Sequence, residues 1–365
     1  MSKFRVVQLT HEALKVQCKV DDFEEWGAPA LDRSQYLCKE ELQRAMAFSQ
    51  QGSIFWALVD TMEDSELVAG QTVIYCHCES HRFDCAVRHG SGEIKRGFSH
   101  HIGSVFTLPQ YRNKGLASFF MKEVANQLKL LPGALVSILY SDIGPTFYDK
   151  LGWKLYPSIS AILDVEHPVN ANAGSNYKAE LVALTLDDKL DDILKADNTR
   201  LVEELSSNRF KKQEAFAILP TRDSIEWQFC IGVHYATAHK NSELPYYCGV
   251  KIHEDAFLIW RHNFKESTLN VLRARFPEKR DNFVNVIHLL LNEAVKEARK
   301  FNLQKIAIWD PPLVLACSEV RCSIIMSFIE REDSLSSALI FYRDDSVGSS
   351  TLLPHWLANQ KYAWV

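Results

Sequence analysis

Arg112, Asn113 and Lys114 stand directly ahead of Gly115, Leu116 and Ala117, in the run IGSVFTLPQYRNKGLA from Ile102 to Ala117. Cations followed by small residues suit the binding of an anion. The first N–H groups of a helix have no intrahelical partner, and with the positive end of the helix dipole they attract phosphate. Gly115 and Ala117 carry no side chain large enough to hold a ligand away from that backbone. A second set follows in SILYSDIGPTFYDKLGWKLYP, with Ser141, Asp142, Phe147 and Tyr148. A phenol of ordinary pKa near ~10 is protonated at neutral pH, so Tyr148 can donate a proton in a closed site. His100 and His101 lie just before the first run, and an imidazole of pKa near ~6.5 can accept one.

Cysteine offers less. The nine are scattered at positions 18, 38, 76, 78, 85, 230, 248, 317 and 322. None sits in a Cys-His frame that would activate a nucleophile. Cys76-His77-Cys78 with Cys85 lacks the paired spacing of zinc sites, and strand alternation puts His77 on the opposite face from its neighbours. Packed free thiols and no metal are the expectation, and their odd number and irregular spacing fit a reducing compartment.

These residues need elements to hold them. Phe4 to Leu9 alternates like a strand, and an acidic, poorly periodic stretch runs to Asp32. A helix is expected from Ser34, as its cap, to Gly52, then strands at 53–60 and 67–78 around a polar turn at 61–66. The charged, glycine-containing residues 80–97 read as a loop or ragged hairpin. Residues 100–108 form the central strand, 115–131 a helix ended by Pro132-Gly133, and 134–141 the next strand. A short helix over 144–151 and a strand over 153–163 complete the half.

The order of strand, Arg-x-x-Gly-x-Ala loop and helix resembles motif A of the GNAT superfamily of acyl-CoA-dependent N-acetyltransferases. Phe-Tyr followed by Lys-Leu-Gly-Trp resembles its motif B, in the right order and separation. The resemblance implies an α+β GNAT fold, a mixed central sheet flanked by helices, with acetyl-CoA as cosubstrate. It further implies that residues 112–117 hold the pyrophosphate and that backbone groups of Val105, Phe106 and Thr107 pair with the pantetheine arm. Phe147 lies beside the cofactor, and Tyr148 protonates the departing thiolate after direct attack by the amine. Ser141 replaces the asparagine common at its position and can still cap the short helix. His101 matches histidines that relay the substrate proton in some members, with a merely hydrogen-bonded histidine as the plainer reading. Asp142 is the alternative base or the ammonium anchor.

With 365 residues, two domains are expected. Residues 167–177, HPVNANAGSNY, read as a linker between a catalytic domain, 1–166, and a second, degenerate GNAT-like domain, 178–365, that completes the substrate site. The second half offers a short strand, an acidic helix, a helix at 223–238, strands at 246–252, 255–263 and 268–276, a helix at 282–301 and a strand at 305–310. It shows neither motif, so no cofactor is expected there. The tail YAWV reads as a terminal strand, with a tail reaching the cleft as the other reading.

The composition, 47% hydrophobic and 24% charged with a net charge of −5, is that of a globular protein and does not favour nucleic acid. No apolar run or signal-peptide core points to a membrane, so a cytoplasmic location is expected. The layout, with Tyr-Ser-Asp-Ile-Gly and the ending NQKYAWV, is similar to the fungal L-lysine N6-acetyltransferases of lysine catabolism. Free L-lysine is therefore the expected acceptor, with protein or peptide lysines, polyamines, or a noncatalytic acyl-CoA-binding regulator as alternatives. Replacing Gly115 by tryptophan should abolish acetyl-CoA binding in a calorimetric titration while the circular dichroism spectrum is kept; unchanged affinity would remove the anion-loop assignment.

Overall fold

The computed structural model describes residues 3–60, 66–166, 179–277, 281–343 and 352–365. The first half runs β1 (Phe4–Gln8), α1 (Glu12–Asp21), α2 (Phe23–Trp26), α3 (Arg33–Ala45), α4 (Ala47–Gly52), β2 (Ile54–Asp60), β3 (Cys76–Arg88) and β4 (Ile94–Thr107). Then come α5 (Leu116–Lys129), β5 (Ala134–Ser141), α6 (Thr146–Asp149), β6 (Lys154–Leu155) and β7 (Ile159–Asp164). The second half runs β8 (Val182–Leu184), α7 (Asp188–Ser206), β9 (Ala215–Leu219), α8 (Arg222–Ala238), β10 (Gly249–His253), β11 (Ala256–Asn263) and β12 (Thr268–Arg275). It closes with α9 (Phe283–Lys300), β13 (Lys305–Trp309), α10 (Ser318–Arg321), β14 (Ser327–Glu330), β15 (Leu335–Ile340) and β16 (His355–Leu357).

Among the described residues the strands form two mixed sheets. The first has the order β1-β2-β3-β4-β5-β15-β6, with β9 also on β3 and β16 on β9; the second has the order β14-β7-β13-β12-β11-β10-β8. Helix α5 packs Phe120, Met121, Val124 and Leu128 against Trp56, Cys76, Cys78 and Leu139 of the first sheet. Helix α9 does the same for the second with Ile287, Leu290, Leu291, Ala294 and Ala298. The i, i+3, i+4, i+7 spacing of these residues produces both helices' buried faces. This is the expected α+β fold with a GNAT-like second half.

The two halves exchange strands. β7 pairs with β13 and β14 in the second sheet, whereas β15 of the second half lies between β5 and β6 in the first. The stretch 153–163 is therefore not one strand, as expected, but two short ones in different sheets. The anticipated linker, 167–177, lies outside the described residues, as does most of the turn at 61–66. A shared core joins Phe83, Val87, Val136 and Ile138 to Phe216, Ile225, Trp227, Phe257 and Tyr362.

Other local readings change for physical reasons. Asp32, not Ser34, caps α3: its Oδ1 accepts from Gln35 N at 2.9 Å while Gln35 Oε1 accepts from Asp32 N at 2.9 Å, a reciprocal box. Met46 is extended, at φ −72° and ψ 152°, and splits the expected long helix into α3 and α4. The acidic stretch before Asp32 folds as α1 and α2. Of the two readings of residues 80–97, the hairpin holds and the loop does not: buried Phe83, Cys85 and Val87 alternate with Arg82 and Asp84. The opposite face of β3 is polar at Arg82 and Asp84 but buried at Cys76, Cys78 and Ala86, which pack in separate clusters.

One buried ion cluster ties the second half together. Asp197 of α7 accepts from Arg273 Nε at 2.7 Å, Arg273 Nη2 at 3.0 Å and Arg275 Nε at 2.6 Å. Burial alone would raise the Asp197 carboxyl, but the two guanidinium groups hold it below its ordinary value. Arg273 Nη1 also donates to Gln360 Oε1 at 2.9 Å, which fixes the segment that leads to residues 361–365. Removing one partner of a buried pair strands the other, so Asp197→Ala should lower unfolding free energy by ~3–5 kcal/mol in denaturant titration; a loss below ~1 kcal/mol would show the cluster to be dispensable.

Candidate functional site

β4 and β5 are parallel and paired from Phe98–Ala134 to Ile102–Leu139, and there the pairing stops. On its other edge β4 stays paired with β3, but Cys78 alone stands opposite Ser104 and Val105, between the pairs His77–Phe106 and Glu79–Gly103. Ser104, at φ 54°, forms the bulge. A bulge of two residues against one bends its strand, and here the bend takes β4 away from β5. The edge of residues 103–107 facing β5 thereby has backbone groups free of strand partners, which an extended ligand can meet as an added strand would.

The loop beyond this edge turns into α5. Gly115 is left-handed, at φ 78°, with nothing within 4 Å of where a Cβ would lie. That conformation favours glycine, and the open space above it lets a ligand reach the first N–H groups of a helix that has no side-chain cap. Arg112 lies back along its own loop, donating from Nε to Thr107 O at 3.0 Å with its guanidinium 5.4 Å from the Phe106 ring centre. Lys114 stands over the Tyr111 ring at 5.1 Å.

A cavity of about 1090 Å³ opens from this edge. Of the residues expected at a site, Val105, Phe106, Thr107, Arg112, Asn113, Gly115, Leu116, Ala117, Asp142, Phe147 and Tyr148 line it; Lys114, Ser141 and His101 are not on its wall. Tyr148 is buried, and that burial pushes its phenol well above the ordinary value, with Cys78 and Asp142 acting in the same direction. It therefore keeps its proton throughout the neutral range, as a proton donor must. Asp142 Oδ1 accepts from Ser334 N at 2.8 Å and Ser334 Oγ at 3.2 Å, so it pins the α6 side of the cavity to the second half.

Two expectations are corrected here. Ser141 does not cap α6; its hydroxyl donates to Gly144 O at 2.8 Å and closes the preceding turn. His101 is fully buried, and burial takes its imidazole down to about 3. Its Nδ1 lies 2.6 Å from Ala363 O and its Nε2 2.7 Å from Ser99 Oγ. A carbonyl only accepts, so Nδ1 carries the proton and Nε2 takes the serine's, leaving no lone pair for a substrate. His101 is a structural histidine that holds residues 361–365 against β4.

Those residues follow the second of the two readings of the tail, which reaches the cleft. The tail is not a strand: Lys361–Ala363 form a 3₁₀ turn, and Lys361, Trp364 and Val365 line the cavity. Val365 lies so close to β4 that a Cβ on Gly103 would fall 3.1 Å from its carbonyl oxygen. The second half adds Trp227, Tyr235, Arg261, Glu266, Asp333 and Ser334 to the wall. From β3 come Glu79 and His81, on one face of the strand. Glu79 and Glu40, the latter 2.9 Å away, grip the buried Lys19. His81 Nδ1 is 2.7 Å from Ser53 Oγ, and burial lowers its imidazole, which keeps it neutral.

The arrangement provides an anion cradle, a free strand edge and a protonated phenol beside one large cavity. Among the described residues no His, Cys, Asp or Glu group is placed to hold a metal, and no helix is long and apolar enough to cross a membrane. Tyr148→Phe keeps the packing and deletes one hydroxyl. Turnover should fall ~10²–10⁴-fold with cosubstrate binding kept, and a change within about twofold would make the tyrosine a packing residue.

Known proteins share this architecture. A family model described as the LYC1 GNAT-like C-terminal domain matches residues 164–365, more than half of the chain. A lysine acetyltransferase of Yarrowia lipolytica is 24% identical over 326 residues, 78% of this chain and 79% of that protein. A conserved protein of unknown function from Enterococcus faecalis, described as a probable N-acyltransferase, matches with a TM-score of 0.55 at 12% identity, over 93% of this chain and 73% of that one. A GCN5-related N-acetyltransferase from Kribbella flavida matches with 0.53 at 13% identity, over 92% and 70%. At such identities the two structures speak for the fold alone, whereas the family model matches the sequence itself. The chain belongs to the family of the LYC1 GNAT-like domain, among the GNAT N-acetyltransferases.

Proposed function

We propose that the protein transfers an acetyl group from acetyl-CoA to the N6 amine of free L-lysine. The observation that carries this reading is the continuity of one cavity, from the open edge of β4 and the N-terminus of α5 to a wall of aromatic and charged residues from the second half. The similarity to a protein named lysine acetyltransferase supports the acceptor. In this reading residues 178–365 complete the substrate site of the catalytic domain, 1–166.

The cosubstrate fits the residues present. The first N–H groups of α5, with Arg112 and Lys114, would hold its pyrophosphate, and backbone groups of Val105, Phe106 and Thr107 its pantetheine arm. Bound there, acetyl-CoA supplies an acetyl group on a thioester. Tyr148 Oη, still protonated, donates to the departing sulfur. An incoming lysine arrives as an ammonium, and Glu79 and His81, which face the cavity where His101 does not, are assigned to take its proton. Glu40, Glu79 and Asp142 set the negative potential that draws an ammonium in. The second half covers the cavity and excludes water from the thioester.

Initial rates on L-lysine, on lysine α-amide and on a lysine-containing peptide test the acceptor. Free lysine should give the highest kcat/KM by ~10-fold or more, because a charge pair to its carboxylate is lost in the other two. Equal rates on all three, or a preference for the peptide, would overturn the assignment.

A further inference from the structure

Arg261 differs from the buried cations that carboxylates hold. Arg273 and Arg275 are saturated by Asp197, Glu204 and Gln360, and Lys19 by Glu40 and Glu79. Arg261, on β11, is only 4% exposed, yet its Nε and Nη1 have no hydrogen-bond partner among the described residues. Its guanidinium lies 4.8 Å from the Trp364 ring centre, and its side chain lines the cavity. The indole supports the flat face of the guanidinium, so its donor edge is left for something else.

Lys361 stands near the same indole. Its Nζ is 4.6 Å from the Trp364 ring centre and 3.7 Å from that of Trp309, and among the described residues no carboxylate is within ion-pair distance. The residue is buried at 6% exposed and also lines the cavity. Burial first, and then the charge of Arg261, push its ammonium well below the ordinary value. Two cations near one ring, with Glu266 and Asp333 acting on Lys361 only beyond ion-pair distance, destabilise the free protein, since a buried charge that lacks a paired counter-charge is not repaid for its lost hydration. Arg88 and Arg331, also buried without a carboxylate, donate to backbone carbonyls and to the Ser336 hydroxyl, whereas Arg261 and Lys361 face a cavity, where a ligand can meet them.

We propose that Arg261 and Lys361 form the subsite for the α-carboxylate of a free amino acid acceptor, a deepening that rests on the free-lysine reading above. A carboxylate matches the planar fork of a guanidinium and accepts a further hydrogen bond from an ammonium. Glu266 and Asp333 line the same part of the wall and provide the complement that an α-ammonium requires. An acceptor held here by its α-carbon end directs its side chain toward the rest of the cavity, where β4 and Tyr148 lie. The subsite selects free amino acids over peptides and diamines by a charge that only the former carry there.

Arg261→Met and Lys361→Met, in the full chain, test this with three probes. Cadaverine has the chain and both amines of lysine without the carboxylate, and L-norleucine has the carboxylate without the side-chain amine. Each variant should lower the lysine-to-cadaverine ratio of kcat/KM ~10–100-fold, the range for a hydrogen-bonded charge pair. Calorimetric binding of L-norleucine, present in the wild type, should be lost, while Tm of Arg261→Met stays level or rises because an unpaired buried charge is gone. If Arg261→Met does not fold, Arg261→Lys, which keeps the charge and loses the fork, should still lower the ratio. An unchanged ratio, or norleucine bound equally by variants and wild type, would overturn the subsite. So would a loss confined to acetyl-CoA affinity, which would give the two cations to the cosubstrate. A wild type that binds norleucine through Arg261 but does not acetylate lysine would keep the subsite and defeat the lysine reading.

Discussion

The site depends on the parting of β4 from β5 after Ile102 and Leu139. Backbone groups on a buried strand edge must find partners, so a gap between two central strands survives only if something prevents its closing. Here each strand is held on its far side. β3 pairs with β4 through the bulge at Ser104, and β15 pairs with β5 along its whole length. The bulge bends one strand and the register of β15 fixes the other, leaving a wedge whose inner edge is free of strand partners and open to a ligand.

That arrangement makes the second half indispensable to the first. β15 comes from far along the chain, and residues 361–365 return to β4, where Ala363 O accepts from His101 and Val365 lies against Gly103. The floor of the cavity is thus the first sheet and much of its roof the second half. Charged groups of both signs enter from both halves. Glu40 and Glu79 come from the first half, gripping Lys19, and the unpaired cations Arg261 and Lys361 come from the second, with Glu266 and Asp333. For the proposed acceptor, cationic at one end and anionic at the other, one space then holds both complements.

Much of this was legible in the sequence. Arg112, Gly115 and Tyr148 were visible because their chemistry depends on short spacings along one strand, loop and helix, and the structure brings them to one wall. The α+β order and most strands followed from alternation and turn residues. What was hidden depends on contacts between residues far apart. Nothing local tells that β7 leaves the first sheet or that β15 enters it, since a buried strand reads alike wherever it pairs. His101 has the right parity but the wrong surroundings: Ser99 and Ala363 occupy both its nitrogens. Lys361 looks like one more surface lysine in NQKYAWV, and only the rings of Trp309 and Trp364 show it to be buried. An arginine inside an apolar strand run, DAFLIWRHN, was the one available signal for Arg261, because a charge at such a position needs a reason.

The claim that both substrates share one cavity is tested most directly by a bisubstrate conjugate, coenzyme A joined through an acetyl bridge on its sulfur to N6 of lysine. Tethering converts the second binding event into an intramolecular one, so calorimetric titration of the full chain should show the conjugate binding ~100-fold tighter than coenzyme A alone, and competing with both coenzyme A and lysine. A conjugate that binds no tighter than coenzyme A would place the acceptor elsewhere and contradict the account.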